Sequence, residues 1–339
     1  MDIKDRVPLL SVIIPTKNRA EELRTISLPS LANQDTRDFE VIVWDASEDD
    51  ASQRLVETFA ANNQNLVIRY FKAPRPGNCA QRNDAVRQAN GEILFFIDDD
   101  SEVSPDGIAA LKEMFATQET LAGGCLPLDY WSSGMARQSI GKSDRLGARL
   151  SAAYGKLFYP SSRLSGIGPA FMPTQPGSTD FLSGCDMAFR REIFRDHRFN
   201  EKLQRYAGYA LWEDQQFSRQ LFLEGRTLSV AEKGHVIHRT ALGTRVENPF
   251  NRGRVEGYNA AVIWRTTIFP YSRRSAIYFL WARIGFLGVV LFPCLRRPWQ
   301  IARWKRLAGY LAGLFIFVIE EAQACFSGLV GRASSEIKS

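Results

Sequence analysis

Across the first 130 residues, short apolar runs alternate with longer stretches whose apolar positions recur at helical spacing. Residues 10–15 are rich in β-branched side chains and read as a strand, and the charged, periodic residues 19–33 read as a helix. The same unit recurs three times. Strands are predicted at 39–44, 66–71 and 92–97, and helices at 50–62, 78–90 and 105–118. Gly91 is expected to close the helix before the fourth strand at C′, and Ser104-Pro105-Asp106 to start the one after it. Apolar strands separated by helices of 10 to 15 residues indicate an α/β fold with a parallel sheet covered on both faces. In such sheets ligands bind beyond the carboxyl ends of the strands. Thr16, Asp45 and Asp98 each stand at such an end, so three polar positions are expected to share one crevice.

From 129 to 177 the pattern breaks down into Gly, Ser, Pro and Tyr, with Arg145, Arg149 and Arg163 spread through it. A long irregular stretch inside a domain reads as a lid or an acceptor-binding insertion, here 129–178. Order resumes with a strand at 181–189, a short helix near Arg190 and a helix at 209–224 carrying Trp212, Glu213 and Asp214. A strand at 227–230 follows, and then a segment with His235 and His238. This body is expected to occupy 1–250, and a tail of different character 251–339.

In the tail, 277–295 is apolar apart from Arg283, and 307–319 is a second apolar run. Between them lies a basic segment containing Trp299 and Trp304. Arginine pairs flank the first run on both sides (Arg273 and Arg274, Arg296 and Arg297), which is awkward for a simple span because such clusters favour the cytoplasmic side. A re-entrant or interfacial hairpin on a membrane fits better. The alternative is a helical layer covering the sheet domain, or a dimer interface.

Charge sharpens the division. The chain has 43 Lys and Arg against 37 Asp and Glu, of which 13 and 4 fall from residue 251 onward, leaving 30 and 33 for the body. The basic surplus belongs to the tail, which suits an anionic membrane surface better than nucleic acid. The five cysteines are scattered without a CxxC pair, arguing against zinc or a disulfide framework and for a reducing compartment. The first eight residues hold no apolar core of a secretory signal.

Asp98-Asp99-Asp100, directly behind the apolar run 93–97, carries the most chemistry. Adjacent carboxylates repel by roughly 1 to 4 kcal/mol per pair, so the triplet is expected either to be solvated or to surround a cation. Hard oxygen ligands suit Mg²⁺ or Mn²⁺, commonly held together with substrate phosphates. A nicotinamide-dinucleotide dehydrogenase would want a glycine-rich turn after the first strand, and residues 15–19 contain no glycine. The Gly- and Arg/Lys-rich signature of a sugar nucleotidyltransferase is missing from the same place.

Five segments in order resemble an inverting family 2 glycosyltransferase with the GT-A nucleotide-sugar fold, over about residues 9–240. They are Ser11 to Arg19, Val41 to Ser47, Pro76 to Asn83, the DxD-like Phe96 to Asp100, and Trp212-Glu213-Asp214. The resemblance implies a mixed, mostly parallel sheet and transfer of a sugar from a nucleotide-diphosphate sugar, UDP-sugar favoured, to a glycan or lipid-linked acceptor. It implies donor contacts from Pro15, Thr16, Asp45, Arg82, Asp98, Asp99 and Gly184. Asp45 would take a base N–H, Arg82 the base or diphosphate, and Asp98 the ribose or a metal-bound water. Asp99 points to the opposite side of the chain and would be mainly structural. Asp100 would ligate Mn²⁺ or Mg²⁺, with His238 as a further ligand or else a satisfied core histidine. Asp214 would be the base, assisted or oriented by Glu213. A membrane-bound enzyme of this kind would work at the cytoplasmic face of the inner membrane. An inactive sugar-nucleotide-binding relative is the reading from a different class. One departure stands out. Where the family commonly writes Gly-x-Asn-Met, this chain has Gly184-Cys185-Asp186-Met187, and Asp186 is expected to bring a negative charge near the sugar or acceptor.

Overall fold

The computed structural model describes residues 9–130, 157, 174–206, 209–239 and 248–336. They form two compact units, one of residues 9–130, 174–206 and 209–239, the other of 157 and 248–336.

The first unit is built on strands β1 (Leu10–Thr16), β2 (Phe39–Asp45), β3 (Val67–Lys72), β4 (Ile93–Ile97), β5 (Ser101–Val103), β6 (Leu121–Cys125), β7 (Leu128–Tyr130), β8 (Gly177–Thr179), β9 (Asp186–Arg190), β10 (Thr227–Val230) and β11 (Val236–His238). Eight of them make one sheet in the order β3-β2-β1-β4-β9-β6-β10-β8. β1 pairs in parallel with β2 and β4, whereas β9 runs antiparallel to both β4 and β6. The sheet is therefore mixed and mostly parallel. β1, β2 and β4 are buried along their whole lengths, as strands covered on both faces must be. A small second sheet, β5-β11-β7, lies just past the end of β4 and brings His238 into register with Ser101.

Helix α1 is assembled from Ala20–Glu22, a π turn at Leu23–Ser27, and Leu28–Ala32. α2 (Ala51–Asn62), α3 (Asn78–Val86), α4 (Gly107–Thr117), α5 (Ile193–Asp196) and α6 (Glu213–Leu223) follow. Phe217 of α6 stacks on Phe199 at 4.5 Å and meets Phe189 of β9 at 4.9 Å, while Phe96 of β4 approaches Phe199 at 5.4 Å. Each such ring contributes roughly 1.5–3 kcal/mol by burial, and together they pin the start of α6 to the β4 end of the sheet.

Four boundaries differ from the sequence reading. α3 ends at Val86, and Gly91 is not its cap. A Cβ on Gly91 would lie 2.5 Å from the Ser11 backbone nitrogen, so close packing against β1 is what demands glycine there. α4 starts at Gly107, because the Ser104 hydroxyl accepts the His235 amide at 2.9 Å and donates to Asp106 at 2.7 Å instead of capping a helix. The strand expected over 181–189 exists from Asp186, since Ser183 and Asp186 turn back on each other through a single bridge. α6 begins at Glu213, because Trp212 adopts a left-handed backbone (φ 69°) that ends any preceding helix. Most of the expected insertion, at 131–156 and 158–173, lies outside the described residues.

The second unit contains α7 (Pro249–Ile263), extended by a π turn at Trp264–Ile268, then α8 (Ser275–Arg296) and α9 (Ile301–Glu336). α7 and α9 cross backbone to backbone. A Cβ on Gly253 would sit 1.9 Å from the Arg306 carbonyl, and one on Gly313 2.2 Å from that of Arg254. Beside the crossing, buried Glu256 accepts from Arg252 at 2.8 Å and from both Nε and Nη2 of Arg306 at 2.9 and 2.6 Å. α8 packs on α9 through Val290, Cys294 and Leu307, with Phe286 on Tyr310 at 4.9 Å. Residues 275–296 and 301–325 are long and apolar enough to cross a membrane.

Gly257→Val is expected to lower stability by about 1–3 kcal/mol or more, since its Cβ would lie 2.2 Å from the Tyr310 carbonyl. Urea unfolding against wild type checks this, and an unchanged midpoint would disprove the close crossing.

Candidate active site

β1, β2 and β4 end on one edge of the sheet, and the chain order passes from β3 at the rim back to β4 across β1. That reversal makes a crevice between the ends of β1 and β4. Asn18 lies beyond β1 in a left-handed conformation (φ 56°), its amide donating to the Ser47 hydroxyl at 2.7 Å. Ser47 is itself anchored on Asp45, whose Oδ1 accepts from the Ser47 amide at 2.8 Å and from its hydroxyl. The other Asp45 oxygen accepts from Tyr70 at 2.9 Å. Burial, with Asp45 beside it, pushes the Tyr70 pKa up, so the phenol remains a proton donor.

This turn sends Arg19 back over the acidic triplet. Its Nη2 donates to Asp100 Oδ2 at 2.5 Å, and its Nε lies 2.8 Å from Asp99 Oδ1. Asp99 also accepts from the Thr16 hydroxyl at 2.7 Å. Burial pushes the Asp99 pKa up to about 7, against the pull of Arg19 and Thr16. Asp98 faces a different cation, Arg82, at 3.4 Å. The triplet is thus not simply solvated. Two guanidinia offset it, and Arg19 was not singled out from the sequence. The signal for it was the Lys17-Asn18-Arg19 turn, whose αL-tolerant asparagine permits the reversal.

Arg82 occupies the centre. α3 opens at Gly77 (φ 116°), and the Gln204 side chain accepts the Cys79 amide at 3.1 Å. Arg82 is 2% exposed. It donates to Glu213 Oε1 at 2.8 Å and to the Gly184 carbonyl at 2.9 Å, and lies over the Phe199 ring. Burial works against its charge, but Glu213 and Asp98 hold it protonated. Buried and paired in this way, Arg82 presents almost no surface to a diphosphate. Asn78 gives Glu213 a second donor at 2.5 Å. Glu213 is therefore occupied, whereas among the described residues half-buried Asp214 accepts only backbone amides, those of Gly184 at 2.9 Å and Gln215 at 2.7 Å. Burial raises both carboxyl pKa values, Glu213 being further raised by Asp214 and opposed by Arg82.

Asp98, Asp100 and His238 offer two carboxylate oxygens and an imidazole nitrogen within 4.8 Å of one another. His238 Nε2 is 3.0 Å from Asp100 Oδ1 and 3.8 Å from Asp98 Oδ2. The two carboxylate oxygens are hard donors of the kind that fit Mn²⁺ or Mg²⁺. Asp100 divides its carboxylate, with Oδ2 on Arg19 and Oδ1 turned toward His238. Pro15 is buried in β1 opposite Trp44 and makes no side-chain polar contact. Asp186 is a correction. It is fully buried, accepts the Leu126 amide at 3.2 Å, and burial pushes its pKa well up toward the neutral form. β9 turns that side chain into the protein, so it is not presented to a sugar or acceptor as expected.

Residues 11–198, more than half of the chain, match the model of Glycosyl transferase family 2. The chain belongs to this family. It is 30% identical over 164 residues to a GalNAc(5)-diNAcBac-PP-undecaprenol beta-1,3-glucosyltransferase of Campylobacter jejuni, covering 46% of this chain and 53% of the relative. The chain thus spans about half the length of that relative. Among solved structures, a mannosyltransferase of Pyrobaculum calidifontis in complex with GDP-Man and Mn²⁺ superposes with a TM-score of 0.53 at 18% identity, over 92% of this chain and 88% of that one. The S. aureus TarS fragment in complex with UDP-GlcNAc gives 0.50 at 20% identity, over 92% of each chain. These likenesses show a GT-A fold.

Replacing Arg82 with Met leaves Glu213 buried without its cation, and stability is expected to fall by about 3–5 kcal/mol. Chemical denaturation measures this, and a loss below about 1 kcal/mol would show that the pair is not structural.

Proposed function

We propose that this chain is an inverting, metal-dependent glycosyltransferase. Its donor is a nucleotide-diphosphate sugar, UDP-sugar favoured, and its acceptor a hydroxyl of a lipid-linked or polymeric glycan. The observation that carries the reading is Asp214, which among the described residues accepts from backbone amides alone, beside a cluster of Asp98, Asp100 and His238 that could hold a divalent cation. Family membership and the glycan acceptor named for the Campylobacter relative support it.

In this mechanism the acceptor oxygen attacks the anomeric carbon opposite the leaving group. A new C–O bond forms, the bond to the diphosphate breaks with its electron pair leaving on phosphate oxygen, and Asp214 takes the hydroxyl proton. A raised pKa makes Asp214 a better proton acceptor than an exposed aspartate. Glu213, tied to Arg82 and Asn78, orients the start of α6 rather than moving the proton. Bound Mn²⁺ or Mg²⁺ would supply neutralisation of the departing diphosphate. Asp45, Thr16 and Gly184 line the donor side, and Arg19 positions Asp100. The apolar, basic helical unit favours work at a membrane surface, at its cytoplasmic face, through interfacial or re-entrant contact.

Asp214→Asn is expected to lower kcat by about 10²–10⁴-fold while donor affinity changes little. Normal turnover at saturating donor, with weakened affinity, would defeat the base assignment. Asp214 must be ionised to act, so activity in wild type should fall as pH drops through a value above the ordinary aspartate range. A profile flat down to pH 4 would contradict this. Asp100→Ala should abolish Mn²⁺-stimulated binding of UDP, and Arg19→Ala should weaken Mn²⁺ affinity about 10–100-fold. Calorimetry reads both, and tighter Mn²⁺ binding in Arg19→Ala would mean that Arg19 competes with the cation.

A further inference from the structure

We propose that the helical unit holds the phosphate of an anionic phospholipid in a cavity between α8 and α9. The proposal rests on the membrane contact of the preceding reading and names the lipid group that is recognised. The cavity is about 300 Å³ and is lined by Val290, Pro293, Arg303 and Arg306. One side is therefore aliphatic and the other carries two guanidinia. Arg303 and Arg306 stand three residues apart on α9 and share a face.

Each arginine is set in place by the fold. Arg306 is fixed bidentately on Glu256. That carboxylate also takes Arg252, so two guanidinia meet on one acid. Arg303 spends one N–H on the Pro293 carbonyl at 3.0 Å. A guanidinium has five N–H donors in a planar fork suited to phosphate, and among the described residues the rest of the Arg303 fork is left to the cavity it lines.

Charge and polarity around the rim select the occupant. Residues 290–306 contain Arg296, Arg297, Arg303, Lys305 and Arg306 and no acidic residue. Phe292, Leu295, Trp299 and Ile301 are 62–73% exposed beside them. A free phosphate ion would use the arginines and leave these side chains in water. A phospholipid uses both, with its phosphate on Arg303 and Arg306 and its chains against the aliphatic wall and rim. Basic pockets between apolar helices take anionic headgroups by this combination.

The test is flotation of the full chain with phosphatidylcholine vesicles, with and without phosphatidylglycerol. Wild type, Arg303→Gln and Arg297→Gln are compared, Arg297 being an exposed arginine outside the cavity lining. A diffuse surface charge is worth roughly fivefold per arginine. A seated phosphate predicts that Arg303→Gln loses more than about tenfold in binding to phosphatidylglycerol vesicles, and Arg297→Gln no more than about fivefold. Should Arg303→Gln fail to fold, Arg303→Lys keeps the charge but loses the fork, and an intermediate loss is expected. Dihexanoyl phosphatidylglycerol below its micelle concentration should raise the Tm of wild type and not of Arg303→Gln. Equal losses in both Gln variants would overturn the cavity while leaving membrane contact standing. Wild type that ignores both kinds of vesicle would overturn the membrane reading, and the lipid assignment with it. A Tm rise with inorganic phosphate equal to that with the lipid would overturn the choice of a lipid.

Discussion

The first unit depends on keeping one guanidinium charged inside protein. Arg82 is almost entirely buried, yet Glu213, Asp98 and the Gly184 carbonyl surround it with acceptors. An isolated buried charge would be prohibitive, while a satisfied one fixes whatever it touches. Here it ties together α3, the end of β4, the turn before β9 and the start of α6. Asp214 stands next to Glu213 in chain order, so the carboxylate assigned to proton transfer inherits its place from that ion pair. The aromatic cluster under Phe217 does the same work from the apolar side.

A second consequence concerns the acidic triplet. Its three carboxylates are shared between two arginines, one from each flank of the crevice, and this leaves Asp100 Oδ1, Asp98 and His238 grouped without a guanidinium between them. The Asn18 turn links this end of the site to Asp45 through Ser47. Asp45 and the Asp100 carboxylate are thus joined by a few hydrogen bonds through a left-handed residue and its neighbour Arg19. Such a turn has little freedom to shift one without the other.

The helical unit obeys different physics. Four glycines let α7 and α9 touch backbone to backbone, and Glu256 of α7 fastens them through Arg306 of α9. α8 then has one face on α9 and another, with Ile277, Leu280, Ile284, Phe292 and Leu295, open to the surroundings. An exposed apolar face of this extent, edged by arginines and tryptophans, is what an interfacial lipid surface would cover.

The alternation of apolar runs and periodic segments was enough to read β1 to β4 and their helices, because β1, β2 and β4, covered on both faces, must be largely apolar, while the half-buried β3 still carries β-branched and aromatic residues. The strand-end position of Thr16, Asp45 and Asp98 was legible for the same reason. What sequence could not supply were partners distant along the chain. Arg19 meets Asp99 and Asp100, Arg82 meets Glu213, and Asp186 vanishes into the interior, each through contacts spanning from 60 to more than 130 residues. Residue types alone fixed which charges the chain carries. Only tertiary packing decided which of them are paired with a guanidinium, as Glu213 is, and which meet backbone amides, as Asp214 does, because burial and pairing are properties of neighbours in space.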